Sequence, residues 1–274
     1  MSVSRRAATQ RAKDALRNRF GVDVDAQGYV RSPQANLVKG VRLEQFEDDL
    51  RRGDGNELRM KFCAVHSSAA LAVNCFAPFK DRPERLALLN ETGAVGIEFE
   101  KQLSIFQGRR PANLDVWIDQ GKRVVAVESK LLEYFKLKKP NFGSAYDDLV
   151  SAVSDAGWWA VFQNAKVNGL RDASQHLDRA QLLKHYFGLR RLRESSPGRQ
   201  SLTLLYLFWE PLNWQEVAEC VRHRQEVELF ADQVAGGSIE FKWMTYGQLW
   251  NEWALLPALR EHASELRARY EVHL

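Results

Sequence analysis

Cysteines, paired histidines and long apolar runs are scarce in this sequence of 274 residues. The three cysteines, Cys63, Cys75 and Cys220, have no CxxC spacing and no neighbouring histidine pair, which argues against a disulfide framework and a structural zinc site. Buried, unreactive thiols are expected instead. Six histidines are scattered without an HxxxH or HExxH pair, so a zinc hydrolase is disfavoured, and His66 reads as a hydrogen-bonded core residue. There is no P-loop and no Gly-x-Gly-x-x-Gly, and "HSSAA" (66–70) lacks the Gly-x-Ser-x-Gly setting of a nucleophilic serine. The longest apolar stretch, "LTLLYLFW", is far too short to span a bilayer, and "MSVSRRAATQRAK" has no apolar signal-peptide core. The expected location is therefore the cytoplasm, away from membranes.

What is present is an ordinary globular composition, 45% hydrophobic and 27% charged, with a net charge of +4. Basic residues cluster at Arg5, Arg6, Arg11 and Lys13, at Arg109 and Arg110, at Lys136, Lys138 and Lys139, and at Arg190, Arg191 and Arg193. Each cluster on its own reads as a solvated face. Eight tryptophans fall mostly in apolar patterns and read as core.

The periodicity predicts helices over 4–20, 41–52, 56–76 and 82–90, the last started by Pro83. Strands follow at 95–106, 112–118 and 122–130, the latter two joined by a tight turn at "DQG". Helices over 145–163 and 174–192, a doubly buried strand at 201–210, a helix at 213–231 and a strand at 238–244 come next. "TYGQLWNEWALL" opens the final helix with Thr245 as N-cap. This order implies an α/β or α+β fold: a central mixed β-sheet containing an antiparallel three-stranded meander, flanked by helices.

One stretch of that meander, "LDVWIDQGKRVVAVESK" (114–130), carries charges that a buried strand would avoid. Glu128 and Lys130 alternate onto one face with Ser129 on the other, and Asp115 can lie across the hairpin from them. Two carboxylates meeting there need a cation between them, and hard oxygen donors in small number suit Mg²⁺. A lysine beside the ion would orient water or stabilise developing negative charge. An E-x-K triplet alone carries little weight, since about one is expected by chance in a chain of this length. A second triplet, Glu240-Phe241-Lys242, lies in another predicted strand, but the strand before it has no acid in its body to match Asp115. The bland alternative for 114–130 is an edge hairpin with Glu128 and Lys130 as a solvated salt bridge.

Asp115 followed by Glu128-Ser129-Lys130 after a hairpin resembles the PD-(D/E)XK nuclease superfamily, the restriction-endonuclease-like fold, in its bacterial branch. The usual proline beside the Asp is displaced to Pro111. The resemblance implies one nuclease domain over 1–274, with its core at about 56–210, a helical N-terminal extension at 1–52 and a C-terminal layer at 211–274. It implies a Mg²⁺-dependent deoxyribonuclease, with Mn²⁺ able to substitute. The function expected is that of an endonuclease in bacterial restriction, anti-phage defence or repair.

Asp115, Glu128 and the Ser129 carbonyl would hold the metal, Lys130 would position water, and Glu57 would complete the catalytic set. Glu98, Glu100, Glu133 and Gln181 are further candidates, Gln181 through an imperfect Gln-x-x-x-Tyr element that has His185 at the fourth position. Arg109, Arg110, Lys136, Lys138 and Lys139 flank the hairpin and would contact nucleic-acid phosphates. DNA is the expected substrate, with RNA still open, and a homodimer or a partner protein of a defence system is expected. The alternative is a non-catalytic module on the same fold that binds nucleic acid or protein.

Overall fold

A computed structural model describes residues 5–21, 23–52, 61–151, 153–170, 174–195 and 201–274. Helix α1 (Arg5–Phe20) buries Ala8, Ala12 and Leu16, one per turn, along its inner stripe. The short α2 (Glu47–Arg52) has acids in its first turn and arginines in its last, matching the helix dipole. Helix α3 (Ser68–Phe76) starts where the Ser67 hydroxyl accepts the Ala70 N–H at 3.2 Å.

The single helix expected over 56–76 is therefore shorter. Residues 63–65 spend their backbone groups on another segment: Val30 N–H donates to Cys63 O, and Val65 N–H donates to Gly28 O. Residues 53–60 lie outside the described residues. The helix expected over 82–90 is a single 3-10 turn (Pro83–Arg85) followed by a small hairpin, β1 (Ala87–Leu88) and β2 (Glu91–Thr92). Leu89 and Asn90 turn it with φ of 56° and 63°, the two left-handed residues of a type I′ turn, and neither can continue a helix.

Strands β3 (Gly96–Leu103), β4 (Ala112–Asp119), β5 (Arg123–Lys130), β6 (Ser201–Phe208) and β7 (Glu240–Thr245) form a five-stranded mixed sheet in the order β3-β4-β5-β6-β7. The first two pairings are antiparallel and the last two parallel. The β4–β5 turn works because Gly121 takes φ 78° while Asp119 Oδ1 accepts its N–H at 2.8 Å. Parallel pairing needs crossovers, supplied by α4 (Ala156–Leu170) and α5 (Arg179–Ser195) between β5 and β6, and by α6 (Ala218–Val234) between β6 and β7. Strand β6 lies between two parallel neighbours with helices on both faces, so all its residues except Ser201 are buried.

Thr245 caps α7 (Tyr246–Leu255) through a reciprocal capping box with Gln248. That helix is not the last. Leu256 and Pro257 interrupt the run, and α8 (Arg260–Tyr270) buries Ala263, Leu266 and Tyr270 beyond them. One core cluster joins α1, α3, α7 and α8 to one face of the sheet, and a second joins α4, α5 and α6 to the other. Trp158, Trp209, Trp250 and Trp253 are fully buried in these cores, and the three cysteines are buried and in no disulfide. Among the described residues no helix is long and apolar enough to cross a membrane.

Asp155 ties the second layer together. Its carboxylate, 2% exposed, accepts the Tyr186 hydroxyl of α5 at 2.8 Å, and the Ser238 N–H and hydroxyl just before β7 at 2.6 and 2.8 Å. Asp155→Ala is expected to lower unfolding free energy by about 2–3 kcal/mol, because a buried hydroxyl and N–H lose a charged acceptor. Urea denaturation would show this as a reduced midpoint with an unchanged slope.

Candidate active site

Alternation along a strand should keep residues two apart on one face. Here it reverses. Leu114 packs in the α4–α6 core while Val116 packs in the opposite one, and Leu103 and Phe99 are split in the same way. The reversal falls on Asp115 in β4 and on Glu100 in β3, whose φ of 52° lies in the left-handed region. Two carboxylates hold the break open. Asp49, 3% exposed in α2, accepts the Phe99 N–H at 3.0 Å and also pairs with Lys80 and Arg52. Past the Val116–Val127 pair, Asp115 Oδ2 accepts the Ser129 N–H at 2.6 Å. A side-chain oxygen thus stands where a regular ladder would offer a carbonyl, and β4 and β5 part at that point.

On the α5 side of β5, Glu128 is 0% exposed. Lys130 Nζ donates to its Oε1, and His185 Nε2 donates to its Oε2 at 2.7 Å. Ser129 faces the other way, its hydroxyl 2.7 Å from the Tyr246 hydroxyl. Burial would raise the Glu128 carboxyl, but the charges and hydrogen bonds of Lys130 and His185 outweigh it and hold it down at about 2. Burial would also lower Lys130, yet Glu128, Asp115 and Glu133 together keep its ammonium more firmly protonated than usual. Asp115 goes the opposite way to Glu128. Its burial, then the charges of Glu128 and Glu100, push it well above the ordinary range against Lys130 and the Ser129 N–H.

Asp115 opens onto a cleft of about 480 Å³ whose walls include Glu100, Asn113, Glu133, Gln181, Lys61, Tyr29, His66 and the capped start of α3 at Ser67 and Ser68. Glu133 and Gln181 also line an adjoining cavity of about 80 Å³ that reaches Lys130, Lys138, His176, Asp178 and Tyr206. Glu133 is fixed there by accepting the Leu131 N–H at 2.8 Å. Gln181 is fixed by the start of α5, where Asp178 Oδ1 accepts its N–H at 3.0 Å.

Of the residues singled out in the sequence, Asp115, Glu100, Glu133 and Gln181 line the cleft and Lys130 lines its side cavity, while Glu128 is buried beside Lys130 and Ser129 joins Asp115 through its N–H. Glu98 stands outside them: it pairs with Lys101 at 2.7 Å and lines a neighbouring pocket with Asp49 and Arg52, which Glu100 also borders. Glu57 lies outside the described residues. Arg109 and Arg110 are exposed on the loop between β3 and β4, Lys136 and Lys139 are exposed after β5, and Lys138 lines the side cavity. His66 is not on a helix but on the cleft wall, where burial and then Lys13 lower its imidazole to about 4.

The role of Asp49 escaped the sequence, and so did that of His185, which was noted only as the residue at the fourth position after Gln181. A lone histidine among apolar helix residues carries no local mark, although its spacing of four from Gln181 puts both on one face of α5. The rival triplet behaves as a solvated edge pair, since Lys242 Nζ is 3.2 Å from Glu240 Oε1 with both side chains more than a third exposed. Glu128, at 0% exposure, is the opposite case.

These features define a mixed α/β protein in which a buried acid–lysine pair and a second acid converge where two strands separate. Residues 6–271 match the family described as Restriction Endonuclease associating with ARP, and the chain belongs to that family. No curated protein and no solved structure matches it.

The two acids should report oppositely on stability. Glu128, depressed from 4.5 to about 2, contributes stability that is present above pH 4.5 and lost as pH falls towards 2. Glu128→Gln is expected to cost about 3–5 kcal/mol at pH 7, because Lys130 stays buried without its anion. Asp115 is raised, so its ionisation opposes folding as pH rises. Asp115→Asn is accordingly expected to melt above the parent at pH 7, with the advantage shrinking as pH falls and gone below about pH 4, in thermal melts across that range.

Proposed function

We propose that the protein is a Mg²⁺-dependent deoxyribonuclease of the PD-(D/E)XK type, in which β3, β4 and β5 serve as the antiparallel meander of a restriction-endonuclease-like core. The observation that carries this reading is the convergence of Asp115 and Glu128 where β4 and β5 part, with Lys130 bonded to Glu128. Membership in a restriction-endonuclease family supports it.

The donor set fits Mg²⁺. Asp115 is an acid under repulsion from Glu128 and Glu100, and the cleft walls add Glu133, so a hard cation would relieve an excess of negative charge. Among the described residues no group of three or more His, Cys, Asp or Glu side chains is placed to hold an ion unaided. Mg²⁺ tolerates this, since it keeps several waters and takes one or two carboxylates plus a phosphate oxygen. Asp115, Glu128 and the Ser129 carbonyl would hold it, with Mn²⁺ able to replace it. The bound ion supplies charge neutralisation at the phosphoryl oxygens and a more acidic water.

Lys130, kept protonated by three acids, acts as a fixed ammonium that orients water or a phosphate oxygen; it is not a general base. Glu57 or Glu100 supplies the further acid; Glu100 lines the same cleft as Asp115. Arg109, Arg110, Lys136, Lys138 and Lys139 contact phosphates and position the nucleic acid. Endonucleolytic action on DNA in bacterial restriction or defence, within one cytoplasmic domain and in association with ARP as the family's description has it, completes the proposal.

Purified protein incubated with plasmid and linear DNA is expected to cleave in Mg²⁺ or Mn²⁺ and to stop in EDTA. Asp115→Ala and Lys130→Ala should each lose at least about a hundredfold in rate. DNA binding without cleavage under any of these conditions would sink the enzyme and favour a binding module. Arg109→Ala with Arg110→Ala should also reduce the logarithmic salt slope of DNA binding by about two.

A further inference from the structure

We infer that His185 is a positioning residue of this site, acting through Glu128 to hold its carboxylate in the orientation that the metal and Lys130 require. The inference rests on the nuclease reading above and deepens it. The rotamer of a carboxylate that is 0% exposed is set by the protein groups that bond it. Lys130 takes Oε1 and His185 takes Oε2, and the register of β5 already fixes the lysine. His185 is thus the partner that arrives from outside the sheet, and it decides which way Oε2 points.

Its surroundings give it no competing role. His185 is 1% exposed on a helix whose neighbouring positions Leu182, Leu183, Tyr186 and Leu189 belong to the apolar core. Its Nδ1 has no hydrogen-bond partner among the described residues, so its Nε2 bond to Glu128 is the polar contact that offsets burying an imidazole there. An aliphatic side chain would serve packing alone better.

The helix that carries it is also held at a set distance. A Cβ at Gly188 would sit 2.7 Å from Leu103 Cβ, so α5 lies against β3 at a separation that only glycine permits. One turn before His185, the same face presents Gln181 to the cleft. Helix α5 therefore supplies both the brace behind Glu128 and a wall in front of it.

The test compares His185→Leu, which keeps bulk and loses the donor, with His185→Gln, whose amide can still donate to Glu128. Four readouts are taken: Mn²⁺ binding to the DNA-free protein by electron paramagnetic resonance, single-turnover cleavage, DNA affinity in EDTA, and thermal melting. His185→Leu is expected to lose about 10–100-fold in Mn²⁺ affinity and in cleavage rate while DNA affinity in EDTA stays unchanged. His185→Gln is expected to recover most of both. If His185→Leu does not fold, His185→Asn, whose shorter amide falls short of Glu128, is read in its place with the same expectation. The inference is overturned if the leucine or asparagine variant binds Mn²⁺ and cleaves like the parent. It is equally overturned if the glutamine variant is as impaired as they are. Failure of the parent itself to bind Mn²⁺ in a way that Asp115→Ala abolishes would overturn the nuclease reading and this inference together.

Discussion

The buried Glu128 carboxylate, gripped by Lys130 from its own strand and by His185 from α5, is the contact on which this site depends. An anion in the middle of a sheet is tolerable only when its charge and its lone pairs are both answered. The lysine alone would leave one oxygen facing the core; with the histidine each oxygen has a partner. In return the anion fixes a charged lysine at 9% exposure, where a free ammonium would be costly. Each member is buried because the other two are.

Asp115 is the counterweight. The protein arranges one acid to be comfortable as an anion and the neighbouring one to be uncomfortable, by position on two adjacent strands. The discomfort is built into the backbone: a non-glycine residue with positive φ at Glu100, and a carboxylate at Asp115 standing in for a ladder acceptor. Asp49 lies beneath this, satisfying the Phe99 N–H that the kink would otherwise strand. Local strain and electrostatic tension coincide at the mouth of the cleft, as they do where a fold is shaped for ligand chemistry.

Much of the sheet was legible because its physics is local. Alternation in 95–106, the "DQG" turn and the continuous apolar run of β6 each follow from nearest neighbours in sequence. The pairing of Asp115 with the Glu128 end of β5 followed from hairpin geometry, and the contrast with Glu240 from its lack of a partner acid. The N-terminal half was less legible. Residues 63–65 are apolar all round, like a buried helix, but their backbone groups are claimed by residues 28–30, a contact no periodicity announces. "RPERLALLN" has helical composition, yet Leu89 and Asn90 turn left-handed under tertiary packing. The roles of His185 and Asp49 were not legible for a related reason: the contacts that define them, to Glu128 and to the Phe99 N–H, lie 50 or more residues away.

That separation along the chain also sets what each contact of the site costs in chain entropy. The β4–β5 hairpin closes over a few residues, so Asp115 and Glu128 meet through a local contact with little loop entropy to overcome. The α5 imidazole comes 57 residues after Glu128, and the parallel partner β6 joins Arg123 to Ser201. Contacts of that range cost more loop-closure entropy than the hairpin does. The imidazole that braces Glu128 thus reaches it across a far longer stretch of chain than Asp115 does, and the electrostatics of the cleft are complete only with the α4–α5 crossover in place.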